Sequence, residues 1–149
     1  MGSVVYAFVM LLIALTPTSI HFIKDKKVGV DMGKVVGFEL SSQDPQKAIE
    51  FYSSVFGWEI AEPQWDYWAV ATTSDDTGIN GGIGKGPNDH PHGTRIQIEV
   101  DSIDDAMEKA VNNGALIVRD KMEFDSFYLA YLVDPVGLGF GLIQKRNED

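Results

Sequence analysis

No cysteine occurs among the 149 residues. That excludes a disulfide framework, a zinc–thiolate site and a cysteine nucleophile, and it suits a reducing compartment, so a cytoplasmic location is expected. Basic residues are scarce: 12 Lys and Arg stand against 22 Asp and Glu, for a formal net charge of −10. A field of that sign repels phosphate backbones, which argues against a nucleic-acid partner, and an acidic small molecule would need a local basic group to offset it. Long apolar runs are also missing. The run Val4–Leu15 has 12 residues, against roughly 20 for a membrane span, so no membrane association is expected. The glycines from Gly81 to Gly86 lack the GxxxxGK[ST] spacing and no helical pattern follows them. A phosphate loop is therefore rejected.

What is present suffices for a core. Hydrophobic residues make up 44% of a chain whose length suits one domain or two small half-domains. Residues 1–31 differ from the remainder: the apolar run is followed by Thr16-Pro17-Thr18-Ser19 and then Lys24, Lys26 and Lys27. A signal peptide wants a basic leading region, which Met1-Gly2-Ser3 lacks. Residues 1–31 are expected to form an apolar extension outside a core domain of residues 32–149, with Met32 as an alternative start. An arm packing on the domain or on a partner is the other reading, and a signal or anchor the third.

The core domain opens with a strand in which Val36, Phe38 and Leu40 alternate with Val35, Gly37 and Glu39. Asp44 and Pro45 are a helix start, since the carboxylate accepts from free N–H groups and proline fits the first helical position. Ala48, Ile49, Tyr52, Val55 and Phe56 follow at helical spacing, and Gly57 supplies the left-handed stop. Strands are predicted from Trp58, over Tyr67–Val70 and over Ile79–Gly84, and residues 85–93 (KGPNDHPHG) read as a linker. The pattern then recurs: a strand over Thr94–Val100, a helix over 103–113 capped by Asp101 or Ser102, and strands over Leu116–Val118, Phe127–Val133 and Leu138–Gln144. The halves align without gaps from first strand to mid-helix at an offset of 58, pairing Gly37 with Arg95, Leu40 with Ile98 and Glu50 with Glu108. Each half is β-α-β-β-β, covering about residues 34–86 and 93–144, and is too small to stand alone, so the two must share a core or a sheet.

The two modules, the run FYSSVFGWEI (Phe51 to Ile60) and the late Asp134-Pro135-Val136-Gly137 turn resemble the vicinal oxygen chelate superfamily. It includes glyoxalase I, bleomycin- and fosfomycin-resistance proteins and extradiol dioxygenases. The resemblance spans Lys34 to Gln144. It implies an α+β fold in which the two βαβββ modules form a cupped, incomplete-barrel mixed sheet with helices on the outer face. It also implies a homodimer with the site near the interface. In the metal-dependent members, ligands sit on the first and last strands of each module. Carried over, those positions are Gly37, Gly82, Arg95 and Gly141. Glycine has no side chain and arginine offers no lone pair, so neither a metal nor another cofactor is expected.

Arg95 reads either as the anchor for an anionic or carbonyl-bearing ligand or as an ion-pair partner of Glu39 or Glu99. A half-exposed pair contributes only ~0–1 kcal/mol, so Arg95→Met is expected to leave folding nearly intact. Glu39 and Gln97 share the inward parity, and Glu39 is a base or an ion-pair partner. Asn80, Trp68 and Tyr131 complete the candidate ligand contacts; the last two come from an aromatic group of Trp65, Tyr67, Trp68, Phe127, Tyr128 and Tyr131 whose parity is open across the Pro63 bend. His90 and His92 lie in the linker without a fixed third ligand, which reads as a solvated loop rather than a metal site. His21 lies in the extension.

Three functions remain open. The first is a metal-free protein that holds a small molecule in the cup. The second is a lyase, isomerase or hydrolase using Glu39 and Arg95 or a noncanonical metal, with its catalytic residues unassigned. The third is a structural or regulatory module with a vestigial cup, which a cup filled by its own side chains would favour.

Overall fold

The computed structural model describes residues 32–147, so the expectations for residues 1–31 lie outside the described residues. Strand β1 (Lys34–Ser42) leads into helix α1 (Pro45–Phe56), then β2 (Glu59–Ile60), β3 (Tyr67–Ala71) and β4 (Gly81–Lys85). The second module repeats the order: β5 (Gly93–Glu99), α2 (Ile103–Asn112), β6 (Leu116–Glu123), β7 (Phe127–Val133) and β8 (Gly139–Lys145). Both helices begin where their caps dictate. The Asp44 side chain accepts from the Lys47 N–H ahead of Pro45, and the Ser102 side chain accepts from the Asp105 N–H. Gly57 ends α1 at φ 68°, its N–H donating to the Ser53 carbonyl.

The eight strands of the described residues form one mixed sheet in the order β2-β3-β4-β1-β5-β8-β7-β6. The seam is the antiparallel pair β1–β5; β4 runs parallel to β1 and β8 parallel to β5. Each module thus contributes four contiguous strands, and the sheet is not closed: β2 and β6 are its edges.

Register at the seam decides what the site contains. Residues directly opposite on neighbouring strands share a face. Glu39 faces Arg95 and Gly37 faces Gln97, while Gly82 stands beside Glu39 and Gly141 beside Gln97. A bulge at Val36 interrupts the simple alternation of β1, so Val35, not Val36, sits opposite Ile98.

The opposite face carries the apolar core in two clusters, one under each helix. Ile49, Val70 and Ile83 are buried beneath α1, with Leu40, Ala48, Tyr52, Trp58, Ile60 and Trp68 around them. Ile103, Met107, Ala115, Ala130, Leu132 and Leu142 fill the cluster beneath α2. Full burial of Ile83, Ile103 or Leu132 contributes about 1.5–3 kcal/mol each. Val55 and Phe56 are more than half exposed, unlike the helical stripe predicted for them, because β2, the strand that follows this end of α1, is only two residues long. Ile79, expected in a strand with Ile83, lies ahead of β4 and is exposed.

Candidate functional site

The sheet face opposite the helices is polar at its centre. Glu39 is 8% exposed and Arg95 6%. The Tyr131 hydroxyl donates to Glu39 Oε1 at 2.6 Å and the Gln97 side-chain amide donates to the same oxygen at 2.9 Å. Arg95 Nη2 lies 3.6 Å from Glu39 Oε2, an ion pair beyond hydrogen-bonding range. The guanidinium carbon sits 3.9 Å above the centre of the Tyr131 ring, a cation–π contact. Arg95 Nε is fully buried and has no hydrogen-bond partner.

The glycine positions are covered by neighbouring side chains. A Cβ at Gly82 would run into the Tyr67 hydroxyl, one at Gly37 would lie 2.8 Å from Gln97 Oε1, and one at Gly141 would lie 3.3 Å from the Tyr131 ring. Tyr67 is 37% exposed as a residue, but its hydroxyl lies over Gly82. Burial and then the charge of Glu39 push its pKa up to about 12. Burial first, then the same carboxylate, pushes Tyr131 still further above the usual phenol range. Both hydroxyls therefore stay protonated, and that of Tyr131 donates to Glu39.

The segment between the modules folds onto this face. Gln43 donates to the carbonyls of Gly86 and Pro91 at 2.8 and 3.2 Å. Arg119, opposite Tyr131 in the ladder and so on the same face, donates twice to the Asp89 carboxylate at 3.1 and 3.2 Å. These bonds lower the Asp89 pKa. The His90 ring lies over Gly93, and its Nε2 is buried without a partner. Desolvation, and then the charge of Arg95, lower its pKa. The linker is thus pinned at Gly86, Asp89 and Pro91, while most of its residues, His92 among them, are exposed as expected from its glycines and prolines.

The model of the glyoxalase-like domain family matches residues 37–143. The chain belongs to this family. It is a vicinal oxygen chelate fold, and solved structures share its architecture at low identity. A benzaldehyde dehydrogenase structure from Legionella pneumophila, described as NAD-dependent, is 17% identical over 74% of this chain and 98% of that one, with a TM-score of 0.56. A variant of methylmalonyl-CoA epimerase from Streptomyces coelicolor, in complex with 2-nitronate-propionyl-CoA, is 13% identical over 78% and 100%, at 0.57. The epimerase from Mycobacterium tuberculosis is 12% identical over 80% and 95%, at 0.55. No curated protein matches the chain. At these identities the structures speak for the fold alone.

The residues at the family's metal positions do not fit a metal. Three are glycines whose space Tyr67, Gln97 and Tyr131 take, and the fourth is a permanent cation. Among the described residues no three His, Asp or Glu side chains come together as a metal cluster. No helix among them is long and apolar enough to cross a membrane.

Of the residues singled out from the sequence of this glyoxalase-like domain, Glu39, Arg95, Gln97 and Tyr131 come together in one network. Asn80 and Trp68 do not join it. The Asn80 side chain accepts from the Thr72 N–H at 3.0 Å, pinning the loop before β4. Trp68 is opposite Ile83 and packs in the cluster under α1, because the alternation of β3 sends Tyr67, not Trp68, to the cup. Glu99, the other acid offered to Arg95, pairs instead with Lys34 and Lys145 at 3.3 and 3.0 Å. The Arg95–Glu39 pair is buried, not half-exposed, so the small stability cost expected for Arg95→Met does not apply. Tyr67 was visible only as one of several aromatics. The position of His90 had no local signal, since glycines and prolines mark a turn without saying what it packs on.

Proposed function

We propose that this glyoxalase-like domain is a metal-free binder of a small molecule, held in the cup through an oxygen acceptor, carboxylate or carbonyl, on Arg95. The observation that carries the reading is the buried guanidinium whose Nε has no partner. Buried polar atoms are normally paired, and an unpaired one calls for an explanation. Three of the four inward positions are covered by Tyr67, Gln97 and Tyr131. A cup filled for purely structural reasons has no need of a spare donor at its centre. The covering also favours a compact ligand group over a large one. Glu39 supports binding better than base catalysis, because its Oε1 already accepts from two side chains.

A thermal-shift screen of small carboxylates, amides and ketones tests the reading, run on the intact chain and on Arg95→Lys. Lysine keeps a cation beside Glu39 but removes the Nε donor. Acceptor-bearing compounds should stabilise the wild type and bind the variant ten- to a hundredfold more weakly, the loss of one charge-assisted contact. Equal stabilisation of both proteins, or of neither, would sink the assignment.

We also propose that two copies associate. Strand β6 is an eight-residue open edge with Leu116 and Ile117 exposed, and such edges are normally covered. Light scattering on the full chain should give twice the monomer mass; a monomer at high concentration would defeat the idea.

A further inference from the structure

The linker of residues 85–93 was expected to be solvated, yet it brings a second buried, unpartnered nitrogen to the face that carries Arg95. The His90 ring stacks over Gly93, its Cε1 and Nε2 3.3 and 3.4 Å from where a Cβ would stand. Only glycine leaves that room, and Gly93 has a φ of 130°, which side chains rarely adopt. Gly93 and Arg95 are two apart on β5, so both face the cup. Arg95 is near enough for its charge to act on the His90 ring, and a carboxylate has two oxygens, one for each nitrogen, at the ~2.8 Å of a charge-assisted hydrogen bond.

We propose that His90 completes the Arg95 subsite, so that a ligand carboxylate is held between Arg95 Nε and His90 Nε2 under a loop clasped by Asp89 and Arg119. This deepens the proposed function, since it rests on the cup holding a ligand, and it narrows the ligand class to carboxylates.

The groups facing His90 are Arg95 and Glu39 from the seam strands and Asp89 from its own loop; Asp89 is already paired with Arg119, and the neighbouring Tyr131 hydroxyl stays protonated. Arg95 and Glu39 cancel. With no ligand, desolvation and the nearby guanidinium disfavour the protonated form of His90. A carboxylate entering this neutral setting leaves one negative charge unbalanced, and protonating His90 balances it and supplies the second donor. Carboxylate and proton therefore bind together.

The test follows the His90 imidazole and the Arg95 Nε–H by NMR in the intact chain, with acetate as probe and acetamide as its neutral counterpart. Acetate should shift both groups and raise the His90 pKa. Its affinity should fall up to about tenfold per pH unit between the free and bound values of that pKa. His90→Asn and His90→Phe, each checked for an unchanged melting temperature, should bind acetate ten- to a hundredfold more weakly and lose the pH dependence. Acetate binding that shifts Arg95 but leaves the His90 pKa unmoved, with both variants binding as the wild type does, overturns the role of His90 and leaves the Arg95 reading standing. Acetamide binding as tightly as acetate overturns the carboxylate assignment alone. If no acceptor-bearing probe perturbs Arg95 Nε–H, the proposed function itself fails, and this inference with it.

Discussion

Glu39 and Arg95 stand opposite each other across the β1–β5 seam, both buried, with their nearest charged atoms 3.6 Å apart. Two desolvated charges normally regain their lost hydration through tight hydrogen bonds to each other. Glu39 regains its share from Tyr131 and Gln97 instead, and Arg95 from the face of the Tyr131 ring.

That asymmetry predicts unequal costs. Glu39→Gln strands a buried cation and should destabilise by about 3–5 kcal/mol. Arg95→Met leaves a carboxylate that keeps two donors, so it should cost less. The double variant should fall short of the sum of the singles, because neither charge is then left alone. Urea unfolding of the four proteins gives the cycle; strictly additive losses would mean that the pair is not coupled.

Alkaline pH should act through two phenols whose hydroxyls are shielded near Glu39. The folded pKa of Tyr67, about 12, lies above the roughly 10 of an unfolded tyrosine, and that of Tyr131 is raised further. Above pH ~10 the unfolded chain loses protons that the native chain retains, so native stability falls as pH rises. The stabilising contribution is complete below that point and is lost progressively through the folded values. Tyr67→Phe and Tyr131→Phe should each flatten the fall, as measured by denaturation at a series of pH values. A slope unchanged in both variants would refute the burial of these hydroxyls.

Much of this arrangement was legible in the residues. Asp44-Pro45 and Ser102 start helices where their side chains can cap them, and the offset of 58 makes Glu39 and Gln97 equivalents, which the structure joins by a hydrogen bond. Which residues cross the seam was less visible: antiparallel pairing sets Glu39 against Arg95 and Gly37 against Gln97, a register that alignment of the halves does not state. Trp68 was misplaced because Trp65 and Asp66, both at positive φ, break the strand periodicity after Pro63. The placement of His90 over Gly93 was not visible because it depends on tertiary clasps from Gln43 and Arg119, distant in the chain.

The Arg119–Asp89 clasp can be tested separately from binding. Its side chains are 39% and 33% exposed, so Arg119→Met should cost only ~0–1 kcal/mol overall. The local effect should be larger. With the clasp gone, amides around Asp89 and His90 should exchange faster, and the His90 pKa should rise toward ordinary values as water reaches the ring. Wild-type exchange in this loop would show that Gln43 alone holds it.

The last prediction concerns the glycine that gives Tyr67 its place. Gly82 lies in β4 with its would-be Cβ inside the Tyr67 hydroxyl position, and its backbone is not at positive φ, so alanine is excluded by the ring rather than by conformation. The ring is the movable partner. In Gly82→Ala it should swing outward, carrying its hydroxyl away from Glu39 and into water. Its pKa should then drop from about 12 toward the ordinary value near 10. Stability should fall by about 1–3 kcal/mol, the usual range for forcing an extra methyl into a packed site. The control is the same substitution in a Tyr67→Ala background, where the obstacle is gone and the methyl should cost far less. A phenol titration that does not move in Gly82→Ala, or an equal cost in both backgrounds, would mean that Tyr67 does not cover this position and that the first module's half of the cup is open to ligand after all.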